Sequence, residues 1–333
     1  MTAPDCVDEP RAPFPWFGGK RRAAPIVWGA FGNVGHYVEP FCGSCAVLLA
    51  RPRSHLPAVE TVNDADGMIA NAWRAMRDDP DAVAARVSFP VAEIELHARL
   101  ASVAARRGDR DFVAWLEGSP DHRDAALAAD WLYCVCASIG APFDPGPWVV
   151  ADGRLVNGRD AGRGVNRELP HVANAGQGVN RRLLGNAGRG VNREASIRGY
   201  LRALSARLER VRVCCGDWRR VLSDTVLYAG QPSAGVLLDP PYTVGANVYA
   251  VTGDMTADVR AWAAEYGARG DVRIALCGYA DDGHDDLLAR GWRRVAGRAG
   301  SSGYGAGKPN RELIWLSPHC LAADDILPGL EVV

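Results

Sequence analysis

The stretch "GVLLDPPYTV", residues 235–244, sets an unbroken aliphatic run against an acid, two prolines and a tyrosine. Val236-Leu237-Leu238 reads as a short strand, apolar on both faces, of the kind a parallel sheet covers with helices on both sides. Proline has no N–H to give to a strand ladder, so Pro240 and Pro241 stop the strand and leave Asp239 at its carboxyl end. Open α/β sheets bind their ligands at such ends. For an isolated Asp-Pro-Pro the alternative is a strand followed by a rigid turn, so the rest of the chain has to decide.

Working outward, the same grammar recurs. In "HYVEPFCGSCAVLLARP", Tyr37-Val38 ends a strand, Phe41 to Ser44 forms a glycine-bearing loop, and Ala46 to Ala50 opens a helix. "VETVNDADGMIANAWRAMRDDPDAV" gives a second strand end at Val62, then acids, then a helix. Two β-loop-α units this close to the start predict a doubly wound α/β sheet. The pattern resumes after residue 200 with a helix, a strand over Val211–Cys215 and a loop bearing Asp217. The Asp-Pro-Pro strand follows, then a helix near 256–267, a strand "VRIALCGY", a helix near 283–290 and a final strand pair, "WRRVAGRA" and "RELIWLSP". Glu39 with Phe41-Cys42-Gly43, Asp64 and Asp217 therefore stand at strand ends lining one crevice with Asp239. An acid just after the second strand suits a ribose hydroxyl pair. The glycine loop has neither the GxGxxG nor the GxxxxGK[ST] pattern, which argues against a dinucleotide or triphosphate site.

Between the two halves lies different material. Residues 76 to 136 carry Ala, Leu and Trp at helical spacing. Residues 150 to 195 are rich in Gly, Asn and Arg, with "AGRGVNR" at 161–167, "AGQGVNR" at 175–181 and "AGRGVNR" at 187–193. Spacings of 14 and 12 residues are too short and irregular for a solenoid. Residues 151–200 hold nine arginines against four acids, a local basic excess suited to a polyanion; a decorated surface loop is the alternative.

Bulk properties set limits. The 333 residues are 48% hydrophobic and 23% charged, an ordinary globular balance, and the net charge of -1 makes any nucleic-acid surface a local patch. No apolar run of about 18 residues indicates a membrane span, and the polar, proline-rich start is unlike a secretory signal. Nine cysteines, an odd number spread along the chain, fit reduced thiols in a cytoplasm. Among 38 basic residues only Lys20 and Lys308 are lysines.

"PWFGGK", "YVEPFCGSCAV", "VNDADGMIANAWRAM", "VCCGDW" and "VLLDPPY", in that order, resemble Dam-type DNA adenine methyltransferases. The resemblance covers roughly the first 80 residues and those from about 200 to 317. It implies a Rossmann-like seven-stranded methyltransferase sheet with an inserted target-recognition domain. The catalytic domain would comprise 1–75 and 200–333, and the recognition domain 76–199. It implies S-adenosylmethionine as cofactor, held by Trp16, Gly19, Lys20, Glu39, Pro40, Phe41, Cys42 and Gly43, with Asp64 on the ribose and Asp217 near the adenine. The family's usual second glycine is Cys45 here, leaving "CGSC", whose redox or zinc reading lacks a second pair or a histidine set; no metal is expected.

The chemistry then accounts for the opening stretch. An exocyclic amine conjugated to a purine is a poor nucleophile, because its lone pair is delocalised into the ring. Asp239 and the carbonyl of Pro240 would accept the amino hydrogens, Pro240 and Pro241 would fix that carbonyl's direction, and Tyr242 would stack on a base flipped from the duplex. Double-stranded DNA would be met by Arg163, Asn166, Arg167, Asn180, Arg181, Arg182, Arg189, Asn192 and Arg193, with Lys308 a candidate backbone contact. Arginine reads guanine, Asn or Gln reads adenine, and both bind phosphates. With no nuclease motif, the expectation is a stand-alone cytoplasmic enzyme, monomer or homodimer. The alternatives are a non-catalytic DNA-binding regulator and amino methylation of cytosine or RNA.

Overall fold

The computed structural model describes residues 10–14, 20–56, 58–88, 92–138, 148–151, 154–157, 192–241, 255–296 and 312–321. Among them, β1 (His36–Glu39), β2 (Val59–Asp64), β5 (Val211–Cys215), β6 (Ala234–Leu238), β7 (Val272–Gly278), β8 (Arg293–Ala296) and β9 (Leu313–Leu316) build one seven-stranded sheet. Its order is β5-β2-β1-β6-β7-β9-β8, parallel from β5 to β7, with β9 antiparallel to both neighbours. The chain steps one way from β1 through β2 to β5 and the other way from β6 to β7. The switch point therefore lies between β1 and β6, where such a sheet opens a crevice.

The apolar run of β6 explains its central place. Leu237 packs into one buried cluster with Val62 and Ala275, whereas Val236 and Leu238 pack into the other with Val38, Ile274 and Leu276. Alternate side chains thus enter different cores, so both faces must be apolar. The strand stops at Leu238, before the two prolines, as expected.

Ten helices are described: α1 (Ala24–Phe31), α2 (Ala46–Leu49), α3 (Gly67–Asp78), α4 (Pro80–Val87), α5 (Glu93–Ala104), α6 (Arg110–Gly118), α7 (Ala125–Ala137), α8 (Asn192–Leu208), α9 (Asp224–Tyr228) and α10 (Thr256–Tyr266). Three begin on aspartates that accept from their own first-turn amides: Asp66 for α3, Asp109 for α6 and Asp124 for α7. The helical stretch α4 to α7 shares its core with the sheet: Val83, Leu116, Trp131 and Val62 belong to one cluster. Buried Arg74 fastens it further, donating to the carbonyls of Val213 on β5 and of Leu116, Ser119 and His122.

Four details depart from the sequence reading. The second strand runs on to Asp64 instead of ending at Val62. The helix expected near 283–290 is a 3-10 segment, His284–Arg290, bounded by Gly283 and Gly291 in left-handed conformation at φ +74° and +80°. Helix α8 begins at Asn192, so Asn192 and Arg193 of the third repeat lie on its first turn. A hairpin, β3 (Trp148–Ala151) with β4 (Arg154–Asn157), stands in the glycine-rich stretch. Its signal was Asp152-Gly153 between two β-prone runs.

No helix among the described residues is long and apolar enough to cross a membrane. Eight cysteines are free thiols there.

Candidate active site

Four parallel strands present their carboxyl ends side by side, and the loops beyond them are tied together. After β1, the amide of Cys42 donates to the carbonyl of Asn63 at 2.9 Å, and that of Gly43 donates to Oδ2 of Asp64 at 3.0 Å. Asn63, buried on β2, uses its Nδ2 to hold the carbonyls of Pro40 and Gly216 at 3.1 and 2.9 Å. The Gly216 amide in turn donates to the Asp64 carbonyl at 3.1 Å. Trp73 of α3 donates its indole N–H to the carbonyl of Gly43 at 2.8 Å. The loops after β1, β2 and β5 therefore form one backbone-linked rim.

The loop after β1 turns through two left-handed residues, Gly43 at φ +42° and Cys45 at φ +49°. Cys45 occupies a conformation that favours glycine, a strain of about 1–2 kcal/mol for a side-chain-bearing residue. It is fully buried, which sets packing against that strain. Burial pushes the Cys45 thiol up to about 11 and the Cys42 thiol well above its ordinary value. Both are therefore neutral thiols at pH 7 and poor nucleophiles.

Three carboxyl groups at this rim differ in character. Glu39 ends β1 almost fully buried and receives the hydroxyl of Tyr37 at 3.0 Å. Burial, then the charge of Asp239 against a smaller pull from Lys20, raises it to about 8. Asp64 is partly buried and is raised to about 7 by burial and by neighbouring Asp66, against the amides of Asp66 and Gly43 that favour its charge. Asp217 is exposed, caps the turn Trp218–Val221 by accepting from the Arg219 amide at 2.8 Å, and pairs with that side chain at 3.3 Å. The rings of Phe41 and Trp218 lie 5.9 Å apart beside it.

At β6, Asp239 meets the group that resemblance assigned to the cofactor. The Lys20 ammonium, 5% exposed, stands 2.7 Å from Oδ2 of Asp239 and 2.7 Å from Oε1 of Glu312. Burial opposes the charge of Lys20, but the two carboxylates outweigh it, so the ammonium is held firmly protonated. Pro240 is buried and Pro241 partly so. Thus Lys20, Glu39, Pro40, Phe41, Cys42, Gly43, Asp64, Asp217, Asp239, Pro240 and Pro241 all come to one edge of the sheet. Trp16, Gly19, Tyr242, Lys308 and the repeat positions Arg163, Asn166, Arg167, Asn180, Arg181, Arg182 and Arg189 lie outside the described residues.

The sequence reading missed Glu312. Its signal was an acid directly before the apolar run Leu313–Leu316. Because β9 runs antiparallel, its first residues share an edge with the last residues of β7, and Leu313 pairs with Gly278.

A carboxylate thus stands at the switch point, beside a rim of backbone-linked turns. Residues 16–95 match the model of the D12 class N6 adenine-specific DNA methyltransferase family. Over that segment the chain is similar to D12 class N6 adenine-specific DNA methyltransferases. The match supports site-specific adenine methylation of DNA, and the seven-stranded, mostly parallel sheet is consistent with a methyltransferase fold. The matched segment covers the rim from α1 to Asp64, whereas Asp239 and Glu312 come from beyond it on the same sheet. No curated protein matches the chain.

Proposed function

We propose that the methyltransferase takes its methyl group from S-adenosylmethionine and delivers it to the exocyclic amine of an adenine turned out of duplex DNA. The observation that carries this reading is Asp239, fixed at the end of β6 by Lys20, next to a proline pair whose locked φ angles aim the Pro240 carbonyl. Asp239 accepts one amino hydrogen and the Pro240 carbonyl accepts the other, drawing the nitrogen lone pair out of the purine ring. Positioning and electrostatics of this kind suffice where the methyl group is already activated.

The donor set at the rim fits the cofactor. Asp64 offers a carboxylate to a hydroxyl pair, the left-handed turn at Gly43 allows close backbone approach, and Phe41 and Trp218 present an apolar ring pair. Bound there, S-adenosylmethionine supplies an electrophilic sulfonium methyl. Glu39, held neutral, closes the floor of the crevice without placing a second anion beside Asp239.

In the 76–199 recognition region, helices α4 to α7 form a platform on the sheet, and the Gly/Asn/Arg repeats supply the DNA-facing groups. Tyr242 stacks on the turned-out base. The test is methyl transfer to a duplex library with sequencing of modified bases, comparing the parent with Asp239→Ala. The parent should mark adenine at one short sequence. The variant should bind cofactor normally and lose turnover at least a hundredfold. A loss below tenfold would place the acceptor elsewhere.

A further inference from the structure

We infer that Glu312 is a positioning residue for methyl transfer, acting through Lys20 on Asp239; this rests on Asp239 being the acceptor. Asp239 and Glu312 follow β6 and precede β9, the two strands that flank β7, and Lys20 bridges them at 2.7 Å on each side. The bridge is sheltered, with the ammonium 5% exposed and the carboxylates 18% and 31% exposed. A lysine paired with Asp239 alone would fix one carboxylate oxygen but draw charge from the other, which the target amine needs. A second carboxylate on the same ammonium shares that pull. Glu312 thus keeps Asp239 both oriented and electron-rich, with one net negative charge over the three groups.

The position also fits Glu312 for this role. It stands one residue before β9, at the sheet edge where Leu313 pairs with Gly278, so its backbone is set by the ladder. Among the described residues, the other titratable groups acting on Lys20 and Asp239 are Glu39 of β1, Cys277 of β7 and Tyr279 just after it, each raised by burial, Glu39 also by Asp239 and the other two by both carboxylates.

The test measures single-turnover methyl transfer against pH at saturating cofactor and DNA for the parent, Glu312→Gln, Glu312→Asp, Lys20→Gln and Asp239→Ala. Glu312→Gln should lower the rate about ten- to a hundredfold at unchanged cofactor affinity, a misplacement of about 1 Å costing up to about a hundredfold. Its acid limb should move to lower pH, because the whole Lys20 charge then falls on Asp239. Lys20→Gln should move the limb to higher pH, since two carboxylates then face each other unbridged. Glu312→Asp should recover part of the rate. A Glu312 that merely braced β9 would lower the melting temperature and leave the limb in place. If Asp239→Ala is dead while Glu312→Gln keeps the parent's rate and limb, the positioning role is overturned and the acceptor reading stands. If Asp239→Ala retains activity, both fall. Should Glu312→Gln fail to fold, Glu312→Asp decides: a lowered rate with a shifted limb at the parent's melting temperature supports the role, and the parent's rate and limb overturn it.

Discussion

Gly43 donates its amide to Oδ2 of Asp64 at 3.0 Å, so the loop after the first strand is fastened to the acid that ends the second. The same carboxylate takes the Asp66 amide on Oδ1 at 2.9 Å. Each oxygen has a lone pair left for an incoming hydroxyl. Asp64 is thus a shaped acceptor, raised to about 7 chiefly by burial.

Cofactor affinity should follow the ionisation of Asp64. At pH 6 the carboxyl is mostly protonated and at pH 8 mostly ionised, so affinity should rise about tenfold over that interval. Calorimetry at both pH values, in buffers of different ionisation heat, would show a proton released on binding below pH 7. Asp64→Asn should bind weakly and without the pH dependence. An affinity that is flat with pH and indifferent to the substitution would remove Asp64 from the site.

Stability of the cofactor-free protein should fall between pH 7 and 8. Glu39 rises from 4.5 unfolded to about 8 folded, so the folded state holds a proton that the unfolded state has lost, and stability drops as pH climbs through that window. The limiting slope is about 1.4 kcal/mol per pH unit for one proton. His284 opposes this only lower down: buried and lowered to about 4, it adds stability as pH rises towards 6.5. Glu39→Gln keeps an acceptor for Tyr37 and should flatten the decline in urea titrations at pH 7 and 8. A parent curve already flat over that interval would contradict a neutral Glu39.

Cys45 inverts the usual ranking of alanine and glycine. Both substitutions lose the same buried sulfur, but at φ +49° glycine sits without strain while alanine does not. Cys45→Gly should therefore be more stable than Cys45→Ala by about 0.5–1 kcal/mol, net of glycine's greater unfolded-state entropy. Chemical denaturation of the pair is the check. Alanine more stable than glycine would mean the turn relaxes out of the left-handed region.

How far the sequence reached depends on whether the signal was local. The strand ending in Asp239 announced itself, since two prolines can follow a buried aliphatic run in few other ways. Asp64 and Asp217 were legible for the same reason, each standing where an apolar run ends. The Lys20–Asp239 pair was not, because the partners are separated by most of the chain and only the sheet order brings them together. Glu312 was hidden by strand direction: a residue before a strand reaches the ligand edge only if that strand runs antiparallel. Glycines 283 and 291 were visible, but whether seven residues between them form an α-helix or a 3-10 segment is settled by packing.

The repeats make a prediction that rests on their chemistry alone. Three units each set an Asn and an Arg among glycines, in a stretch too glycine-rich to build a core of its own. Arg163, Arg167, Arg181, Arg182, Arg189 and Arg193 are therefore expected to face DNA, with Asn166, Asn180 and Asn192 shaping or reading the contact. An arginine on phosphate, changed to alanine, should weaken binding to every sequence and lower the salt slope by about one unit. One on a guanine edge should cost about 1–3 kcal/mol on the cognate duplex and relax specificity at one position. Titrating each Arg→Ala variant on cognate and scrambled duplexes at several salt concentrations separates the two roles. If all six bind both duplexes like the parent, recognition belongs to the exposed faces of the helical platform, where Trp115 on α6 is 40% exposed and stacks on His122.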